Sequence, residues 1–383
     1  MSLIERVEIH EYTFPIENLS PGRSYVPGAR SDVSSLGIRI FTRDGLEGSY
    51  CPQHGGKKAH VGQLLMIAQS LIGRDALQRE SIYDDLKRAL RQVGFIGVSH
   101  VDIALWDLAA RKYGVSVKEL LGGFRTRLRT YASTTHGDEY GALTRPEDYA
   151  DFAEACHALG FGAFKIHGWA EGEPKREAQN VLHLAAAVGD RMTLLLDPAC
   201  QLRTFADALY VGRACDEAGY FWYEDPMRDG GVSIQAYKRL REKITTPLLL
   251  TEHVRGVEPK ADWAVAGATD FLRADPDMDL GISGVMRIAR LAEALGCDVE
   301  LHGVGPAHRA CMSAIRNTNF YELALVNPKA RNPVPPIYRC GYSDHLEDVG
   351  ADGCYPVPEG PGLGVEYDWD YIARRRTALH VFT

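Results

Sequence analysis

The sequence predicts an α/β protein: a TIM-type (β/α)7β-like barrel with an α+β domain in front of it and a C-terminal tail that packs back on that domain. Three observations carry this. From Phe164 to His302, short apolar runs (GAFKIHGW, MTLLLDPA, YFWYEDP, PLLLTEH, FLRADPD and DVELHG) alternate with amphipathic segments of helical length, the rhythm of a parallel barrel. The runs carry ionisable residues at their C-terminal ends, in the order Lys165, His167, Asp197, Glu224, Glu252, Asp275 and His302. Such strand ends converge on one mouth, so side chains distant in sequence are expected to share one pocket. Finally, residues before 127 do not keep the rhythm and read as a separate domain.

In that first domain (1–126), residues 3–13, 36–43 and 46–52 alternate apolar and polar side chains, with Asp44-Gly45 as the turn between the last two, and predict an antiparallel meander. Helices are expected at 58–73, 78–93 and 97–113. The last places Val101, Ala104, Leu105, Leu108 and Ala109 on one face. Two loops rich in glycine and proline, 17–32 and 51–58, interrupt the domain and carry Arg23, Tyr25 and His54. Loops over a barrel mouth are common places for substrate selectivity.

The barrel is expected over 127–327, with strands at 127–134, 162–168, 192–198, 220–225, 247–252, 271–276, 298–302 and 320–326. Thr144, Pro146 and Glu147 open its first helix, and Gly160, Gly189, Gly219 and Gly296 stop four helices. After Asn327 the pattern dissolves into proline, glycine and aromatic residues, the tail of 328–383.

Composition bounds the function. The chain has 383 residues, 45% hydrophobic and 25% charged, and a net charge of −8, without the basic stripe that nucleic acid binding requires. Glu5 and Arg6 stand where a signal peptide would need its apolar run, and no uncharged apolar segment reaches spanning length, so a cytoplasmic protein without membrane partners is expected. Eight cysteines without a CxxC pair read as reduced core thiols.

The chemistry lies at the strand ends. Asp197, Glu224 and Glu252 follow one another at intervals of 27 and 28 residues, which sets three carboxylates side by side. Like charges at close range disfavour joint ionisation, and a divalent cation relieves them. Three oxygen donors suit Mg²⁺ better than Zn²⁺, which favours His or Cys, and Mn²⁺ is a possible substitute. A single acidic strand end is more often a helix cap or a solvated charge; three in consecutive units point to metal. Lys165 and His167 lie two residues apart and project to the same side, into the mouth. Asp275 and His302 end neighbouring strands, where an aspartate on one ring nitrogen makes the other nitrogen a better base. Glu322 completes the ring, as a donor if protonated or as an electrostatic partner if ionised.

Taken together, the segment VDIALWDLAARKYGVSVKELLGG (101–123), the triad in its YEDP and TEH contexts, and RADPDMDLGISG leading to His302 and Glu322 resemble the mandelate racemase subgroup of the enolase superfamily over essentially the whole chain. The resemblance implies a triad that binds Mg²⁺, a base dyad of Asp275 and His302, an N-terminal capping domain whose two loops touch substrate, and a homo-oligomer. It further implies abstraction of the proton α to a carboxylate, through an enediolate. Mandelate racemase carries Lys-x-Lys on the second barrel strand, whereas this chain has Lys165-x-His167, which is closer to the acid-sugar dehydratases. The leading expectation is a lyase forming a 2-keto-3-deoxy acid from an acid sugar, with Lys165, His167 and His302 as candidate acid and bases. The alternatives are a racemase, epimerase or lactone cycloisomerase, and a sugar-acid sensor without turnover. A sensor has no use for a buried base, so the intact triad and dyad speak against it.

Overall fold

The computed structural model describes residues 1–53, 58–228 and 233–383. The chain opens with two long strands, β1 (Ile4–Leu19) and β2 (Tyr25–Thr42), followed by β3 (Glu47–Tyr50). The expected loop at 17–32 is instead the end of this hairpin. Pairing continues through Ile16↔Ser31 and Glu17↔Arg30, slips by a bulge at Asn18, and resumes at Leu19↔Tyr25. The Pro and Gly residues that suggest a loop are absorbed by the turn at 20–24 and by that bulge, two places where a strand tolerates them.

Helices α1 (Lys58–Ile67), α2 (Arg79–Leu90), α3 (Ile96–Tyr113) and α4 (Val117–Leu121) complete the domain. Helix α3 is its hub. It approaches β3 so closely that a Cβ on Gly48 would stand 2.2 Å from the Ala104 carbonyl oxygen. Asp107 accepts the backbone N–H groups of Ser49 and Leu363, and Asp102 accepts both the N–H and the hydroxyl of Ser283 across the interface with the barrel. These contacts give the 101–123 segment its physical role.

The barrel follows as β4 (Arg127–Thr134), α5 (Pro146–Ala158), β5 (Ala163–His167), α6 (Pro174–Val188), β6 (Thr193–Asp197), α7 (Phe205–Ala218), β7 (Trp222–Glu224), α8 (Ile234–Arg241), β8 (Leu248–Leu250), α9 (Val257–Val265), β9 (Phe271–Ala274), α10 (Gly281–Ala294), β10 (Asp298–Leu301), α11 (Pro306–Ala314) and β11 (Tyr321–Val326). The strands run parallel in the order β10-β9-β8-β7-β6-β5-β4-β11. Among the described residues the seam between β10 and β11 carries no ladder. Side chains bridge it: Glu300 on β10 accepts the N–H groups of Asn319 (2.9 Å) and Phe320 (3.2 Å). An aromatic plug of Tyr131, Trp222, Phe271 and Phe320 fills the barrel toward the N-terminal ends of the strands and leaves the opposite ends for polar groups.

The tail then touches both halves. Strand β12 (Cys354–Pro356) pairs antiparallel with the start of β4, and after α12 (Trp369–Arg374), β13 (Arg376–Phe382) pairs with β1 as the fourth strand of the first sheet. The eight cysteines are unpaired, and five are buried. Among the described residues no helix is long and apolar enough to cross a membrane.

Candidate active site

Three barrel units deliver the carboxylates. Asp197 ends β6, Glu224 ends β7 and Glu252 lies two residues beyond β8, and one ligand atom from each falls within 4.8 Å of the others. The backbone beside them is strained. Thr251 has φ of +83° and Asp225 has φ of +27°, conformations unfavourable for residues with a Cβ and doubly so for a β-branched one. Buried contacts hold the strain: Lys260 Nζ donates to the Thr251 carbonyl at 2.7 Å and to that of Arg273, and Asp225 Oδ2 accepts the Glu252 N–H at 3.1 Å.

Beneath the triad sit two fixed cations. Lys165 Nζ lies 2.9 Å from Glu224, 3.0 Å from Glu322 and 3.2 Å from Asp197, and Arg273 is ion-paired with Glu224 at 2.8 Å and hydrogen-bonds Glu322 at 2.6 Å. Burial disfavours a charge on Lys165, yet Glu224 and Glu322 outweigh it and hold the ammonium well above its ordinary range. Burial likewise acts against ionised Glu322, but Lys165 and Arg273 keep its carboxyl well below the usual range. Of the two forms open to Glu322, the ion pairs favour the ionised acceptor.

Charge counting tests the fit to a metal. Asp197, Glu224, Glu252 and Glu322 are four carboxylates facing two fixed cations, and one divalent ion would match the difference. Glu224 carries the symptom of that deficit: burial first, and also the charges of Asp197 and Glu322, push its carboxyl to about 7. An all-oxygen donor set of this kind fits Mg²⁺.

The histidines occupy the two ends of the carboxylate arc. His167 Nδ1 donates to the Thr134 carbonyl at 2.7 Å, which fixes the tautomer, and Nε2 lies 3.0 Å from Asp197 Oδ2. At the other end His302 Nδ1 meets Asp275 Oδ2 at 2.9 Å, and Nε2 lies 3.6 Å from Glu252. Burial opposes a charge on His302, but Glu252 and the Asp275 bond raise its pKa to about 9.

The sequence-predicted residues Lys165, His167, Asp197, Glu224, Glu252, Asp275, His302 and Glu322 therefore gather in one place. The tip of the β1–β2 hairpin reaches the same mouth. Ser24 forms a β-bridge with His136, whose ring lies 5.4 Å from that of His167, so Arg23 and Tyr25 flank the bridge. His54 lies outside the described residues. Sequence reasoning missed Arg273, although Arg273-x-Asp275 has the same two-residue spacing as Lys165-x-His167 and so the same inward projection. It also missed His136 and the strained Asp225, for which the local pattern carries no cue. A surface cleft of about 680 Å³ between the first sheet and the tail shares no residue with this site, and its Arg39, Arg111 and Arg339 are already ion-paired.

A capped parallel barrel with a carboxylate triad and a histidine–aspartate pair at its mouth is the architecture of the enolase superfamily. More narrowly, the chain belongs to the mandelate racemase / muconate lactonizing enzyme family: residues 24–122 match that family's N-terminal domain and residues 148–371 the Enolase C-terminal domain-like family. It is 31% identical over 325 residues to D-galactarolactone cycloisomerase of Agrobacterium fabrum, covering 80% of this chain and 82% of that protein. It is 29% identical to L-talarate/galactarate dehydratase of Salmonella typhimurium, over 73% of this chain and 70% of the other. The crystal structure of D-glucarate dehydratase from Agrobacterium tumefaciens, complexed with magnesium, superposes with a TM-score of 0.88 at 28% identity and covers 98% of this chain and 100% of that one.

Proposed function

We propose that the protein abstracts the proton α to the carboxylate of an acid sugar and dehydrates the resulting enediolate to a 2-keto-3-deoxy acid. The observation that carries this reading is the pair of histidines at opposite ends of the carboxylate arc, each with Nδ1 fixed and Nε2 turned toward the carboxylates. Asp197, Glu224 and Glu252 hold Mg²⁺, with Mn²⁺ a substitute for the same oxygen donors, and the ion supplies Lewis-acid stabilisation of the charge that develops on the substrate carboxylate. His302 Nε2 takes the α-proton while Asp275 holds its ring; a divalent ion on Glu252 would offset the largest charge that raises the His302 pKa and so free Nε2 as the acceptor. Across the site His167 delivers a proton to the departing 3-hydroxyl, a role that leaves Lys165 and Glu322 to balance charge below. Arg23 and Tyr25, which flank the bridge to His136, contact the substrate from the capping domain. The reading also includes a cytoplasmic homo-oligomer, supported by family resemblance and, for the cytoplasm, by the mildly acidic composition.

The cycloisomerase relative favours a second reading, in which a lactone is the substrate and the same base opens the ring by expelling its oxygen. Proton NMR in D₂O with the Mg²⁺-loaded enzyme, run over acid sugars and their lactones, separates the two by which substrate is consumed. A positioned acid or base contributes about 10²- to 10⁴-fold. His302→Asn should lose α-proton exchange and turnover together; His167→Asn should keep exchange and lose dehydration. Dehydration at the wild-type rate by His167→Asn would refute the assignment of the acid.

A further inference from the structure

Asp275 is flanked by two histidines, one at each carboxylate oxygen. Oδ2 bonds His302 Nδ1 at 2.9 Å, while Oδ1 accepts the Asp277 N–H at 2.7 Å and lies 3.4 Å from His308 Nε2. His308 is fully buried, and neither of its ring nitrogens has an aligned hydrogen-bond partner. It stands on α11, four residues past the Val304 loop opening, pressed against Gly305: a Cβ at that glycine, whose φ is +141°, would come within 3.2 Å of His308 Nδ1. Asp277 ties the cluster to the capping domain, since its Oδ1 accepts the Tyr50 hydroxyl at 2.5 Å while Oδ2 has no partner.

Buried polar groups without partners are uncommon and need a reason. Two can be weighed. A cation could sit among Asp275, Asp277 and His308, whose ligand atoms lie within 4.8 Å of one another. Alternatively His308 is itself the counter-charge, an imidazolium set against two carboxylates. Asp275 already engages His302 and the Asp277 N–H, which leaves little of it for a metal. Burial disfavours a charge on His308, but the Asp275 contact and the charges of Asp275 and Asp277 outweigh it and raise its pKa. The second account therefore needs no additional ion.

We infer that His308 is a positioning residue for the His302–Asp275 pair: it anchors Asp275 from the Oδ1 side, so that Oδ2 stays turned to His302 Nδ1 and His302 Nε2 stays aimed at the substrate. The torsion of an aspartate carboxyl is broad, so its plane is fixed from both oxygens, and at Oδ1 the His308 ring adds to the hold of the Asp277 N–H. The inference rests on the proposed role of His302 as base, and the test reads the two separately.

The Mg²⁺-loaded wild type is compared with His308→Met, which removes the anchor, and with His308→Gln, whose amide nitrogen can take the place of Nε2. The proton resonance of His302 Nδ1–H reads the anchor without any substrate. On an acid sugar that the wild type turns over, His308→Met should lower kcat by about 10- to 100-fold with KM held within about twofold, as loss of a partner behind a working histidine does. Its Nδ1–H resonance should shift, and His308→Gln should restore both. His308→Asn, too short to reach Oδ1, replaces His308→Met if that variant does not fold. An unmoved resonance with wild-type kcat overturns the inference, and so does an equal loss in the Met and Gln variants. A second bound metal per chain that disappears in His308→Met overturns it in favour of a cation site. If no acid sugar exchanges its α-proton with any of the proteins, the proposed function fails, while the resonance still decides the anchor.

Discussion

Replacing Asp102 by asparagine should make the protein more stable at neutral pH, although it alters a fully buried residue at the joint between α3 and α10. Asp102 Oδ2 accepts the Ser283 N–H at 2.9 Å and Oδ1 accepts the Ser283 hydroxyl at 2.6 Å. Burial raises its carboxyl from 3.8 to about 6, against the opposing pull of the Ser283 hydrogen bonds and of Arg79 and Arg287. The folded-state value lies above the unfolded one, so the native chain binds more protons within that window. The stability this group contributes is thus full below about pH 4 and is lost as the pH rises through 6. At about 1.36 kcal/mol per pH unit, the interval corresponds to about 3 kcal/mol at pH 7.5. An asparagine avoids that loss and keeps both contacts. Its oxygen can accept the Ser283 N–H and its amide can donate to the Ser283 hydroxyl, which also accepts Trp106 Nε1 at 2.9 Å and so has a second lone pair to offer. Urea denaturation at pH 4.5, 6 and 7.5 is the assay. Asp102→Asn should exceed the wild type by about 2–3 kcal/mol at pH 7.5, and the gap should narrow to about 1 kcal/mol at pH 4.5. A variant less stable than wild type at pH 7.5 would refute the reasoning and show that attraction to Arg79 and Arg287 outweighs burial.

Other outcomes follow from the same geometry. Glu224→Gln should weaken Mg²⁺ binding at least tenfold, about 1.4 kcal/mol, and abolish turnover; isothermal titration with Mg²⁺ checks the first and product NMR the second. Arg273→Met strips a cation from Glu224 and Glu322 together and should cost about 3–5 kcal/mol in urea denaturation, as removal of one buried ion-pair partner does. Arg273→Lys should recover little of this, because one ammonium cannot reach both carboxylates in the forked geometry of the guanidinium. Light scattering at micromolar concentration should give a multiple of the 42.3 kDa chain mass, and a species at that mass alone would count against the oligomer.

The barrel was legible in the sequence because six of its strands are short apolar runs with an ionisable residue at the end, so periodicity and chemistry mark the same boundary. The eight strands lie within a few residues of their expected limits. The first sheet was less so. Pro21, Gly22, Pro27 and Gly28 read as a loop, but the cross-strand pairs that hold the hairpin together, such as Glu17 with Arg30, are long-range and leave no local pattern. The same holds in the site. Lys165, His167 and the triad announce themselves by position on their strands, whereas the importance of Arg273 depends on which carboxylates lie across the barrel. His308 is harder still, since a histidine in the first turn of a helix resembles any buried polar residue until Asp275 is placed against it.

The departure from Lys-x-Lys at the second barrel strand becomes intelligible once the site is divided into a floor and a rim. Lys165 belongs to the floor: buried, it lies within 3.2 Å of Asp197, Glu224 and Glu322, and with Arg273 it fixes two positive charges among four negative ones. A second lysine at 167 would add a third fixed cation beside Asp197 and reduce the negative charge left for a divalent ion. A histidine at that position offers a transferable proton rather than a permanent charge. Its Nδ1 is committed to the Thr134 carbonyl, and its side chain keeps 12% of its surface exposed on the mouth side of Lys165. An imidazole there can hold or release a proton next to the substrate without changing the charge of the floor beneath it. Under the proposed function the chain separates two tasks along one strand: electrostatic support for the metal at 165, and proton transfer at 167. That separation fits an enzyme whose second step is acid-assisted loss of a hydroxyl better than one that must draw protons with equal ease from both faces of a carbon.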